Sequence, residues 1–122
     1  MTGFLPRLFG RPRRHEPAWI EPGDLKRLLD AGDAPLVLDV RGRDKFAGPL
    51  GHIPGAANLP LPELSARFAE LSADRRPVVL VCLTDKRSAR AASELVASGR
   101  RDVSVLRGGM ERWHREGFGE QS

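Results

Sequence analysis

One cysteine, Cys82, is the only thiol in this chain of 122 residues. A single thiol closes no internal disulfide, whereas small secreted domains commonly carry several. Long apolar runs are missing too, and none approaches the roughly 20 residues that span a bilayer. The start does not read as a secretory signal, because Arg13-Arg14 leads into His15-Glu16-Pro17 and not into an apolar stretch. These absences make the cytoplasm the expected location. Acidic residues are lacking from Met1 to Arg14, where Arg7, Arg11, Arg13 and Arg14 account for the whole net charge of +4. From His15 onward the charges balance, 16 basic against 16 acidic. A balanced domain lacks the basic face that nucleic-acid binding needs, so no nucleic-acid partner is expected. Low-complexity tracts and internal repeats are absent as well.

What remains has the length and composition of one domain with one core. Residues 1–15 read as a basic, disordered tail and residues 16–122 as the domain. Phe4, Leu5, Leu8 and Phe9 lie at near-helical spacing beside the tail arginines, a pattern of weak anionic-membrane or partner contact. Pro6, Gly10 and Pro12 interrupt such a helix, which favours disorder.

Within the domain, apolar patterning alternates between strand and helix. Ala18-Trp19-Ile20 opens as a short strand. Pro22 suits the first turn of a helix with Leu25, Leu28 and Leu29 inward and Gly32 as its stop. Leu36 to Val40 is almost continuously apolar, as a strand covered on both faces should be. A helical turn over Asp44-Lys45-Phe46, a Gly/Pro-rich loop from Gly48 to Gly55 and a short strand at Ala57-Asn58-Leu59 follow. Leu61, Leu64, Phe68 and Leu71 predict one face of a further helix, with Pro62 in its first turn. Pro77 to Val81 is the strongest strand, Ser88 to Ser98 a helix, Val103 to Leu106 a strand and Met110 to Glu116 a last helix. Strands and helices alternating on short loops imply a parallel sheet with helices on both sides. Sites in such sheets lie at the carboxyl ends of strands, beside helix N-termini.

Cys82 falls at that kind of place. The segment Cys82-Leu83-Thr84-Asp85-Lys86-Arg87-Ser88 joins the strongest strand to a helix. A helix dipole and the cations Lys86 and Arg87 would favour thiolate, the nucleophilic form. The setting alone leaves open an inert, buried cysteine, since free cysteine is among the most buried residue types.

Four segments together narrow the choice. Leu38-Asp39-Val40-Arg41, Gly51-His52-Ile53-Pro54-Gly55-Ala56, Cys82 to Ser88, and Leu106-Arg107-Gly108-Gly109 with Trp113 and Gly117 occur in that order. They resemble the signatures of the rhodanese family of sulfurtransferases, over nearly all of Ala18 to Gly117. The resemblance implies a three-layer α/β/α fold, a central parallel sheet of about five strands with helices on both faces. It implies a sulfurtransferase in which Cys82 takes the outer sulfur of thiosulfate or a persulfide and passes it to cyanide, a thiol or a protein acceptor. Leu83, Thr84, Asp85, Lys86, Arg87 and Ser88 would form the active loop, with Arg87 bracing it or attracting the anionic donor. No metal or organic cofactor is called for. Phosphatases on the same fold have a loop one residue longer between Cys and Arg; here Leu83 to Lys86 is only four.

The supporting residues have plainer readings. Asp39 and Arg41 suit an ion pair beneath the loop, and His52 a loop-bracing hydrogen bond. Arg43 reads as a solvated surface arginine, Gly108-Gly109 as a tight turn and Trp113 as core. His15 and His114 lack metal-ligand spacing. Asp85 departs from the family, which usually has Gly there, and is one of the few other residues tolerating positive φ. Its carboxylate would cost roughly 4 kcal/mol at about 4 Å from the sulfur, but about 1 kcal/mol or less when turned to solvent. Weak turnover of dianionic thiosulfate is therefore expected. The alternative is a catalytically weak binding or regulatory module on the same fold. A redox sensor is disfavoured because the chain has no resolving cysteine.

Overall fold

The computed structural model describes residues 16–122, so the expected basic tail lies outside the described residues. Five strands, β1 Ala18–Ile20, β2 Leu36–Asp39, β3 Ala57–Asn58, β4 Val78–Val81 and β5 Val103–Leu106, form one sheet. Their order is β1-β5-β4-β2-β3, and every pairing is parallel. Among the described residues five α-helices accompany them: α1 Pro22–Asp30, α2 Arg43–Phe46, α3 Phe68–Ala73, α4 Lys86–Ala97 and α5 Gly109–Arg115. No helix among the described residues is long and apolar enough to cross a membrane.

Side chains alternate across a strand, so each strand feeds two cores. Leu38, Val78, Leu80, Val103 and Val105 pack with Leu71 of α3 and Ala91, Ala92 and Leu95 of α4. Val37, Val79, Val81 and Leu106 pack on the other face with Leu25 and Leu28 of α1 and Met110 and Trp113 of α5. Those two clusters join the sheet to the outer helical layers of the α/β/α sandwich. Completely buried Ala91 and Ala92 bring α4 close to β4, and the buried Trp113 is core as read. Trp113 also donates its Nε1–H to the Gly119 carbonyl at 2.8 Å, which satisfies its one polar atom.

One element differs from the sequence reading. The segment over Leu61–Leu71 is not one helix but two 3₁₀ turns, Leu61–Glu63 and Ser65–Arg67, followed by α3. Leaving β3, the chain is still tied to the end of β2, with Leu59 N–H donating to Asp39 O and Leu61 N–H to Val40 O. Pro62 has no N–H, and the turns close through tighter i to i+3 bonds, such as Leu64 N–H to Leu61 O. The apolar spacing still marks the inward face, because Leu64 and Leu71 are buried.

Candidate active site

β4 is the middle strand of the sheet, and its carboxyl end delivers Cys82 to a buried position, 2% exposed. The chain then turns through Leu83, Thr84 and Asp85 into α4. Ser88, in the first turn of that helix, is fully buried against the thiol. Its N–H points to Cys82 Sγ at 3.4 Å, and its Oγ lies 3.3 Å from the sulfur. The sulfur thus accepts from a helical amide and donates its S–H to the Ser88 hydroxyl, whose own proton goes to the Asp85 carbonyl oxygen.

The loop is held from below by the turn that starts α5. Met110 N–H donates to Cys82 O and Glu111 N–H to Leu83 O, both at 2.9 Å. Gly108 and Gly109 have φ of 80° and 59°, the left-handed conformation that glycine adopts freely. At Gly109 a side chain is also excluded by space. A Cβ there would overlap the Thr84 carbonyl oxygen and come within 2.5 Å of the Cys82 carbonyl oxygen. The turn is therefore a backbone seat for the Cys82 loop.

Asp85 differs from expectation in one respect. Its φ is −146°, and no non-glycine residue among those described has positive φ. Tolerance of the left-handed region is thus not what admits an aspartate here. Its Oδ2 accepts the Gly108 N–H at 2.9 Å. Lys86 and Arg87 do not pair with it, and Asp85 is not on the cavity wall.

A cavity of about 520 Å³ opens above the sulfur, lined by Cys82, Leu83, Thr84, Lys86 and Arg87 on one side. Arg41, Gly42, Lys45, Pro49 and Leu50 form the other wall. The lining holds four cations and no carboxylate. Arg41 is already neutralised, because it grips Asp39 through Nε–Oδ1 at 2.9 Å and Nη2–Oδ2 at 2.7 Å, both residues buried. Arg41 Nη2 also donates to Gly51 O at 2.7 Å, fastening the Gly/Pro loop to the end of β2. Lys45, Lys86 and Arg87 have no acidic partner among the described residues, and their field is open to an anion.

His52 contacts Phe46 in two ways. Its Nδ1 lies 2.8 Å from the Phe46 carbonyl oxygen, and the two rings stack at 3.6 Å. A carbonyl can only accept, so that nitrogen carries the proton. His52 does not line the cavity. Arg43 is exposed as expected but forks onto Glu63 at 2.7 and 3.0 Å, away from the cavity. Hydrogen bonding from Arg43 holds the Glu63 carboxyl below the usual range. His114 contacts Glu120, and no cluster among the described residues could hold a metal ion.

Sequence reasoning missed Lys45, Pro49 and Leu50 as cavity residues, and Asn58. Asn58 donates to both Asp39 O and Arg41 O, at 3.0 and 2.9 Å, and fixes the carbonyls of the chain turning out of β2. A polar amide beside an apolar strand is a faint signal for that role. Lys45 gives none, because only the fold brings its turn opposite Cys82.

Comparison with known proteins agrees with this fold. Residues 21–116 match the family model of the rhodanese-like domain. An uncharacterized protein, YqhL, of Bacillus subtilis is 42% identical over 77 residues, covering 63% of this chain and 59% of that protein. The chain thus spans little more than half of that relative. A sulfurtransferase of Allochromatium vinosum is 37% identical over 93 residues, covering 76% of this chain and 83% of the relative. Among solved structures, a rhodanese-related protein of Thermoplasma volcanium superposes with a TM-score of 0.71 at 27% identity. That match covers 83% of this chain and 94% of the other. With the sheet order, the buried Arg41–Asp39 fork and the seated Cys82 loop in place, this chain belongs to the rhodanese-like domain family.

Proposed function

We propose that the protein is a sulfurtransferase that carries sulfane sulfur as a persulfide on Cys82. The observation that carries this reading is the placement of Sγ beneath a cationic cavity, 3.4 Å from the Ser88 N–H, with no carboxylate on the lining. Lys45, Lys86 and Arg87 draw in an anionic donor, thiosulfate or a low-molecular-weight persulfide. The Cys82 thiolate attacks the outer sulfur, the donor S–S bond breaks, and sulfite or a thiolate leaves with the bonding pair. The new terminal sulfur carries one negative charge on a Sγ–S bond, and surrounding N–H groups stabilise it as an oxyanion hole does. In the second half-reaction an acceptor thiolate or cyanide attacks that terminal sulfur, and Cys82 leaves as thiolate. The cycle balances without an outside oxidant, reductant, metal or cofactor.

The test is the intact mass of the protein after incubation with thiosulfate or a thiol persulfide, for wild type and Cys82→Ser. A gain of one sulfur, reversed by cyanide and absent in the variant, is the expected result. No gain with either donor would leave the cavity as the binding surface of a regulatory module.

A further inference from the structure

Asp85 occupies the N-cap of α4 yet makes no side-chain bond to its own helix. An aspartate at that position ordinarily accepts the amide of the second or third helical residue. The third residue here is Ser88, and its N–H is the amide directed at Cys82 Sγ. Its natural acceptor has been drawn elsewhere, to Gly108 N–H across the loop. Meanwhile the Asp85 main-chain carbonyl accepts the Ser88 hydroxyl at 3.3 Å and the Ala89 N–H at 2.9 Å. One residue therefore ties the α5 turn to the serine that touches the thiol.

We propose that Asp85 is a positioning residue whose bond to Gly108 keeps its carboxylate from capping α4, leaving the Ser88 amide to the sulfur of Cys82. The inference rests on the sulfur-transfer reading for its catalytic consequence. Its structural half, the diversion of the cap, stands apart from that reading. The bond has two effects. It holds the loop against α5 beside the Met110 and Glu111 amide bonds. It also keeps a negative charge from swinging toward the amide that the persulfide anion needs.

Three substitutions separate this from a merely structural role. Asp85→Asn keeps an acceptor for Gly108 and should form the persulfide faster than Asp85→Ala or Asp85→Ser. Asp85→Ala removes the tie but adds no competing cap. Asp85→Ser is too short for Gly108 and, once the backbone at 85 turns from ψ 7° into the extended range, can cap Ser88 N–H. It should slow persulfide formation by about tenfold, the loss of one charge-assisted hydrogen bond, with the donor KM little changed. Melting temperature should rank the other way for the last two, Ser at or above Ala, because a cap stabilises the helix. Gly108 amide exchange should quicken in the Ala and Ser variants and not in Asn. Serine as active as alanine, alanine equal to wild type in rate, or activity that follows melting temperature would overturn the proposal. Iodoacetamide alkylation of Cys82 serves if the wild type forms no persulfide at all. The same ranking there would sink the transferase reading and keep the diverted cap, whereas an unranked series with unchanged Gly108 exchange would sink the cap itself.

Discussion

At Gly109 a single hydrogen in place of a methyl group decides whether the Cys82 loop can sit down. The residue combines φ of 59° with carbonyl oxygens of Cys82 and Thr84 where a Cβ would stand. Backbone cannot step aside as a side-chain tip can, so Gly109→Ala must push the loop off α5 or lift α5 off the sheet. A loss of about 2 kcal/mol or more in urea unfolding is expected, together with a large fall in Cys82 reactivity. Gly108 is less severe in space, because its clash would be with the flexible Arg112 side chain. An unchanged midpoint for Gly109→Ala would show that the seat is softer than described.

At the scale of elements, the turn out of β2 is held by an ion pair that water barely reaches. Asp39 and Arg41 are 0% and 5% exposed, and their fork is completed by Gly51 O and by the Arg41 main-chain N–H donating to Asp39. Such a pair adds little over an apolar replacement, but removing one partner strands the other. Asp39→Ala should cost about 3–5 kcal/mol by thermal or denaturant unfolding. Asp39→Asn, which keeps an acceptor, should fall between it and wild type. Much at this scale was legible in the sequence, for clear reasons. β2 and β4 are read because apolar runs covered on both faces have few other uses. The strand-end setting singles out Cys82 as a candidate but does not separate a nucleophile from an inert buried thiol; the four family-like segments carry that choice. The 3₁₀ turns after β3 were not legible, since apolar spacing reports which side faces inward and not which hydrogen bonds close the turn. The φ of Asp85 escaped for a related reason. Its side chain finds Gly108, 23 residues away, and local rules do not see such a partner.

For the molecule as a whole, the joint between the first and last elements is ionic and sensitive to pH. Glu21 receives Arg107 Nε at 2.7 Å and Arg112 Nη1 at 2.8 Å, linking the β1–α1 junction to β5 and α5. Burial works against the Glu21 charge, but hydrogen bonds from the two arginines outweigh it and hold the carboxyl below its ordinary value of 4.5. A depressed carboxylate adds stability that is complete above the unfolded value and is lost as pH falls through the folded one. Glu21→Gln should therefore lower the melting temperature slightly at neutral pH. It should also flatten the decline of melting temperature as pH falls through and below 4.5. Both effects should shrink at high salt, since the cluster is half exposed. A variant whose acid limb parallels wild type would remove Glu21 from that account.

The pairing of β1 with β5 has a consequence for the order in which the molecule is made. β1 has no other neighbour in the sheet, so Ala18 waits for Ser104 before it has a partner. Contacts that distant in the chain form late, because a long loop must close first. The amides that seat the Cys82 loop, those of Gly108, Met110 and Glu111, come later still. A chain emerging from the ribosome therefore carries its thiol for some thirty residues of synthesis before the seat exists. Seating of the Cys82 loop is thus among the last steps of folding, because it waits on amides that lie beyond β5 in the chain.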